Sequence, residues 1–336
     1  MQKGGAKVKR RLSVSLAAVA ALTVTALLTF GVTTAGSTPA AHKADKVRVA
    51  LVFAANIDLP PQIGVLKGFF KKQGLDVTLG TPDVPFSSLP TTLGKQYDIV
   101  VGTQPDLIRA ASSGLGVVAI SGIQRDNPAD PGAALIVPPD SSIKSIKDIG
   151  GKTVGAPSTV GNNWTTLLCW AKKGGADPNS IRGVQAATPT IPDLLKANRF
   201  NAALIFQPLM GPLLAEGYKN VGDSYAKCFG GKELTAIWVA KGDWASANPD
   251  VVSRFLAGLK EATAWMGAHP KESRAIWLKV SGLPSAVSQR TPIIASEFDY
   301  QQGKPLVTDM AKWIALLKSL NLYNGSVDPA TLVYTP

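Results

Sequence analysis

Histidine and cysteine are almost missing from this chain of 336 residues, which has two of each. His42 and His269 are too few for a multi-histidine metal site, and a serine–histidine–aspartate triad would have to use one of them. His42 adjoins the N-terminal leader, and His269, between Ala268 and Pro270, reads as a helix-end residue. The cysteines, Cys169 and Cys228, form no C-x-x-C pair, and neither follows the leader, so no lipid-bearing cysteine is predicted. One disulfide between them is open, but sequence carries no geometry to decide it. Charged residues make up only 17%, against roughly 25% in ordinary domains. They are scattered, and no basic run is interleaved with aromatics, which sets nucleic acid aside as a partner. There is no G-x-S-x-G, no P-loop, no internal repeat and no low-complexity tract. An enzyme is therefore not expected, nor is a cofactor or a bound metal.

The N-terminus has a different character. Lys3, Lys7, Lys9, Arg10 and Arg11 form a basic head without an acid, and Leu12–Phe30 is free of charge. Small residues gather at Val32–Ala35 and Thr38–Ala41. This is the order of a secretory signal, predicted to be cut after Ala35 or Ala41 and to leave a periplasmic or otherwise extracytoplasmic protein. An uncleaved anchor is the rival reading, because the run approaches the length of a membrane span. The formal net charge of +12 owes five positive charges to this head.

Beyond residue 41 the chain is longer than one compact core usually supports. Apolar alternation predicts strands at Lys46–Ala54, Leu75–Leu79, Tyr97–Val101 and Val117–Ile123. Helices are predicted between them at Pro61–Gln73, Phe86–Leu93 and Pro105–Ser113. The pattern restarts with strands at Ala133–Val137, Lys152–Ala156 and Ala202–Phe206 and ends with Thr235–Ala240 before a helical C-terminal part. Alternating strands and helices predict an α/β fold of two lobes, each a mostly parallel sheet flanked by helices. The division expected is a signal at 1–41, a discontinuous first lobe at 42–132 and 241–336, and a second lobe at 133–240. Two hinge strands, near 133–138 and 235–240, would join the lobes around a ligand crevice.

Five collinear stretches resemble a known family. They are Gly64–Val77 (GVLKGFFKKQGLDV), Leu93–Gly102 (LGKQYDIVVG), Leu135–Ala156 (LIVPPDSSIKSIKDIGGKTVGA), Leu195–Gly217 with Asn201-Ala202-Ala203, and the helix with Asn248-Pro249 and Arg254-Phe255. Together they are similar to the sulfonate/taurine/nitrate group of periplasmic solute-binding proteins, whose fold is shared with thiamine-precursor synthesis proteins. The resemblance implies the type II periplasmic-binding-protein fold, no catalysis, and an ABC importer permease with its cytoplasmic ATPase as partner. The cysteine cluster of the precursor-synthesis branch is absent.

The strongest candidate for ligand contact is the loop Ser158, Thr159, Gly161, Asn162 and Asn163, where free N–H groups at a helix start would suit an anion. Ordinary capping is the alternative, since serine, threonine and asparagine are favoured there. Thr103 and Gln104, after the third strand, offer a hydroxyl and an amide, with turn chemistry as the alternative. Asn56 lies in the first loop, where the resemblance places ligand contacts, and Gln124 follows the fourth strand. Gln207 stands where the family often shows an acid, and a neutral amide there does not oppose an anion. Trp164 and Trp238 would flank the crevice and stack on a ligand, although tryptophans more often serve as core anchors. The function expected first is capture of a small organic or inorganic anion by a monomer. A planar heteroaromatic such as a thiamine-precursor pyrimidine is the second reading, and an exported enzyme on the same scaffold the third.

Overall fold

Val47 and Val49 are buried while Lys46 and Arg48 are exposed, and Ala50 is buried too, so the first apolar alternation folds as a strand with one buried face whose end is wholly buried. The computed structural model describes residues 44–52, 55–82, 84, 86–129 and 131–336. The expected signal and its cleavage site lie outside the described residues. The first sheet begins with β1 (Asp45–Ala50), β2 (Leu75–Gly80), β3 (Ile99–Gly102) and β4 (Val117–Arg125). The second holds β5 (Ala133–Val137), β6 (Thr153–Ala156), β7 (Arg182–Gln185), β8 (Ala202–Phe206) and β9 (Lys219–Gly222). The chain then returns, and β10 (Leu234–Lys241) completes the first sheet. The orders are β2-β1-β3-β10-β4 and β7-β6-β8-β5-β9.

Each sheet contains one strand that runs against the others. β10 is antiparallel to β3 and β4, and β5 is antiparallel to β8 and β9. These are the first strands the chain forms on arriving from the other sheet, β5 after β4 and β10 after β9. The sequence expectation placed hinge strands at 133–138 and 235–240, and the second lobe through residue 240. In the structure β5 pairs inside the second sheet and β10 inside the first. The passages between sheets run instead from Arg125 to Ala133 and from Gly222 to Leu234.

The helices before the first passage are α1 (Leu59–Leu66), α2 (Phe69–Lys72) and α3 (Gln104–Ser112). One helix was expected over Pro61–Gln73, but Gly68 at φ 77° breaks it into two. The helix expected at Phe86–Leu93 is a 3-10 segment, Phe86–Thr92, with Pro90 inside it. Around the second sheet come α4 (Asn162–Lys173), α5 (Ile191–Lys196), α6 (Met210–Ala215) and, on the return passage, α7 (Ser224–Phe229). The C-terminal part supplies α8 (Gly242–Ala247), α9 (Pro249–Ala268), α10 (Pro270–Val280), α11 (Ser285–Ser288) and α12 (Gly303–Ser319). These pack on the first sheet: Phe255 of α9 stacks on Phe70 at 5.4 Å and meets Trp238 of β10 edge-on at 5.5 Å. α12 buries Trp313 against Tyr225 and Phe229 of α7. A disulfide joins Cys169 of α4 to Cys228 of α7, tying the return passage to the second sheet's helix.

No helix among the described residues is long and apolar enough to cross a membrane.

Candidate functional site

The carboxyl ends of β1, β4, β6, β7 and β8 open onto one cleft, the position that open α/β sheets use for ligands. It encloses a cavity of about 180 Å³, below the roughly 300–1,000 Å³ of drug-sized sites, and so suits a smaller molecule. The first sheet contributes Asn56 and Ile57 after β1, Gln124 to Asn127 at the end of β4, and Thr235 and Ala236 from β10. The second contributes Pro157 and Ser158 after β6, Gly161 to Asn163 at the start of α4, Thr188 and Pro189, and Phe206 to Leu209 after β8. Tyr225 of α7, Leu283 and Glu297 close the remaining sides. The walls are largely apolar, with Phe206 and three prolines among them.

Of the residues singled out from sequence, Asn56, Gln124, Ser158, Gly161, Asn162, Asn163 and Gln207 line this cavity. The others lie elsewhere. Thr103 caps α3, its hydroxyl donating to the Asp106 carboxylate at 2.6 Å, and Gln104 is fully buried with its amide donating to the Leu234 carbonyl at 2.7 Å. β10, inserted beside β3, therefore takes up the Gln104 amide, while Asp106 takes up the Thr103 hydroxyl. Trp238 is buried in the first core and Trp164 in the second. Thr159 lies outside the cavity lining, its methyl beside Gly183. Asp58, beside Asn56 and Ile57, is buried and accepts a bond from the Val52 N–H at 3.2 Å.

The loop before α4 binds itself. Ser158 Oγ accepts from the N–H groups of Val160 at 3.2 Å and Gly161 at 3.0 Å, and Asn162 Oδ1 accepts from the Asn163 N–H at 2.8 Å. These three donors are thus already engaged, as capping predicts. Asn162 also reaches across the cleft, its Nδ2 donating to the Thr235 carbonyl at 2.7 Å. Asn163 Nδ2 donates to Asn162 Oδ1 at 3.1 Å, which leaves Asn163 Oδ1 buried without a donor. Gln207 Oε1, Asp126 Oδ2 and the Tyr225 hydroxyl are likewise buried without a partner. The Gln207–Pro208 peptide is cis.

Charge at the site is acidic. Arg125 is the one cationic side chain among the described residues lining the cavity, and it is matched by two carboxylates, Asp299 at 2.6 Å and Asp309 at 3.1 Å. Its Nη2 also donates to Gln301 Oε1 at 2.6 Å. Gln124 Nε2 donates to the Glu297 carboxylate at 3.0 Å. Asp126 begins the outward passage and Asp223 caps α7 on the return passage, accepting from the N–H groups of Tyr225 and Ala226. The Asp223 carboxyl acts on that of Asp126, and two acids brought together away from water favour a form that keeps a proton. Burial first, then the bond to Asp223 and its charge, push Asp126 up to about 8; the Gly132 N–H opposes this and the Glu297 charge adds to it. Burial and the surrounding carboxylates hold the Tyr225 hydroxyl well above its ordinary value. Sequence reading missed Asp126, Asp223, Tyr225 and Glu297. Asp126 stands two residues beyond Gln124, but the others come from segments with no apolar period to place them.

Two sheets of this order, with a cleft at their strand ends, define a protein of the periplasmic-binding type. Solved structures agree: the alkanesulfonate-binding protein SsuA of Xanthomonas axonopodis pv. citri has a TM-score of 0.73 at 15% identity, covering 87% of this chain and 99% of its own. The nitrate-binding protein NrtA of Synechocystis PCC 6803 gives 0.67 at 13%, covering 86% and 85%. Among characterised sequences, the 4-amino-5-hydroxymethyl-2-methylpyrimidine phosphate synthase of Candida albicans is 23% identical over 66% of this chain and 67% of its own length. A Haemophilus influenzae protein named for thiamine biosynthesis is 24% identical over 62% of this chain and 64% of its own, so the chain spans about two thirds of the length of each. The NMT1/THI5-like family model matches residues 63–273, more than half the chain, and the chain belongs to that family.

Proposed function

We propose that this chain is the extracytoplasmic binding component of an ABC importer for a small planar nitrogen heterocycle of the aminopyrimidine class. The observation that carries this reading is the set of buried acceptors without donors on residues that line the cavity. Asn163 Oδ1, Gln207 Oε1 and Asp126 Oδ2 all lack donors, and a buried unpaired polar atom costs about 1–3 kcal/mol. A ligand that brings N–H groups answers them; nitrate or a sulfonate does not. Arg125, the cation an anion would seek, is matched by Asp299 and Asp309. Three of the loop donors expected to hold an anion, the N–H groups of Val160, Gly161 and Asn163, are bonded to Ser158 and Asn162. Apolar walls that include Phe206 and three prolines suit an aromatic ring. The name of the Candida relative, a synthase of a pyrimidine phosphate, points to the same ligand class. In this reading the two sheets act as lobes that close over the ligand, and the two passages act as hinges. A cleaved leader within residues 1–41 would deliver the monomer outside the cytoplasmic membrane, where a permease receives it.

A thermal-shift panel of aminopyrimidines, nitrate, alkanesulfonates and carboxylates tests the reading. Stabilisation follows RT ln(1 + [L]/Kd), so a ligand present at a thousand times its Kd contributes roughly 4 kcal/mol. Shifts with aminopyrimidines alone support it; shifts with the anions alone overturn it.

A further inference from the structure

Resting on the reading of a donor-bearing ligand, we infer that the cavity takes its ligand as a cation and releases to solvent the proton shared by Asp126 and Asp223. The pair joins the two passages between sheets, and both residues are nearly shut from water, at 6% and 7% exposure. Asp126 lines the cavity, and its Oδ2 accepts no donor from the protein. Tyr225, 2% exposed, also belongs to the cavity lining, and its hydroxyl is buried without a partner, a polar group independent of the carboxyls.

The charges around Asp126 decide what can enter. Asp223 faces it from the head of α7, and Glu297 from the turn Ala295–Glu297. The Glu233 carbonyl, from the start of the return to β10, accepts the Asp126 N–H, while the Glu233 side chain is paired with Lys312. Arg125, next in the chain, is held by Asp299 and Asp309. With no free protein cation near it among these groups, the pair is stable only while it keeps one proton, because two carboxylates cannot both ionise at contact in a buried site. A cationic ligand supplies the missing charge. The pair with its proton carries one negative charge, and the fully ionised pair with a monocation also carries one. The exchange leaves the net charge of the cavity unchanged and turns the Asp126 carboxyl into a charge-assisted acceptor. An amidinium, or a protonated amino-heterocycle, has both the charge and the in-plane N–H groups.

Three probes of one shape and different charge separate the outcomes: benzamidine, benzamide and benzoate. Calorimetric titration near pH 6.5 in phosphate and in Tris, buffers of unlike ionisation enthalpy, counts the protons released. Benzamidine should bind at least tenfold more tightly than benzamide and release about one proton in the wild-type protein. In Asp126→Asn the release should vanish and affinity should fall at least tenfold; the wild-type count stands even if that variant does not fold. Equal affinity for benzamide, absent benzamidine binding, or benzamidine heats that are the same in both buffers would each overturn the inference. An aminopyrimidine bound without proton release would sink it while leaving the donor-bearing ligand intact. Binding of benzoate alone would sink both.

Discussion

The backbone N–H of Asp126 donates to the carbonyl of Glu233 at 2.8 Å, so the outward and return passages between the two sheets are bonded to each other beside the cavity. The Asp126 and Asp223 carboxyls add a second link across the same gap. Whatever changes the charge of that link acts where the sheets are joined, and not on a remote surface.

The first prediction concerns pH. The Asp126 carboxyl has an ordinary value of 3.8 and is raised to about 8 in the folded protein. A raised acid keeps its proton in the folded state after the unfolded chain has lost it. Its contribution to stability therefore declines as pH climbs from about 4 to about 8, by at most about 1.4 kcal/mol per unit, and levels off above that. Denaturant titrations across this range should show Asp126→Asn gaining on the wild type as pH rises. Parallel curves for the two proteins would mean that Asp126 does not hold the proton.

The second prediction concerns the disulfide. Cys169 and Cys228 are 59 residues apart, and the loop-entropy account gives a closure of that length about 4 kcal/mol. Reduction, or Cys228→Ser in a background of Cys169→Ser, should lower unfolding stability by roughly 2–4 kcal/mol. Because α7 carries Tyr225 at the cavity and Cys228 at the bond, ligand affinity should fall as well. Calorimetry on oxidised and reduced protein checks both effects.

Much of this fold could be read from apolar periodicity. The strands with a buried face, such as β1 and β8, stood out because valine, isoleucine, leucine and alanine fill it. β7 and β9 did not, because they are edge strands with exposed or half-exposed residues throughout, and no burial pattern marks them. The site was legible only where it follows a recognisable strand: Gln124 after β4, Ser158 to Asn163 after β6, Gln207 after β8. Tyr225 and Glu297 reach the cavity, and Asp223 reaches Asp126, from a return passage and a short turn, and their place depends on how distant segments pack. Trp164 and Trp238 misled for the opposite reason. Their neighbours in sequence are near the cleft, but alternation along β10 turns Trp238 into the core.

The third prediction follows from that burial. Trp238 is fully enclosed and meets Phe255 edge-on, so Trp238→Ala should cost about 3–5 kcal/mol. The milder Trp238→Phe should lower the melting temperature while leaving ligand affinity within about twofold, since the ring is not part of the cavity lining. A tenfold affinity loss in a folded Trp238→Phe protein would return this residue to the site.

Asn162 should behave in the other way. Its side chain donates to the Thr235 carbonyl across the cleft and accepts from Asn163, whose own carbonyl oxygen then faces the cavity without a donor. Asn162→Ala removes one bond between the sheets and frees the Asn163 amide to turn. The stability cost should be modest, about 1 kcal/mol for a single hydrogen bond. The affinity cost should be larger, at least tenfold, because both the closed arrangement and an acceptor depend on the same amide. Titration of the variant with the best aminopyrimidine from the thermal panel, alongside its denaturation curve, separates the two. If affinity tracks the small loss of stability and nothing more, Asn162 only caps the helix, and the cavity is organised by the carboxyl pair on its far side.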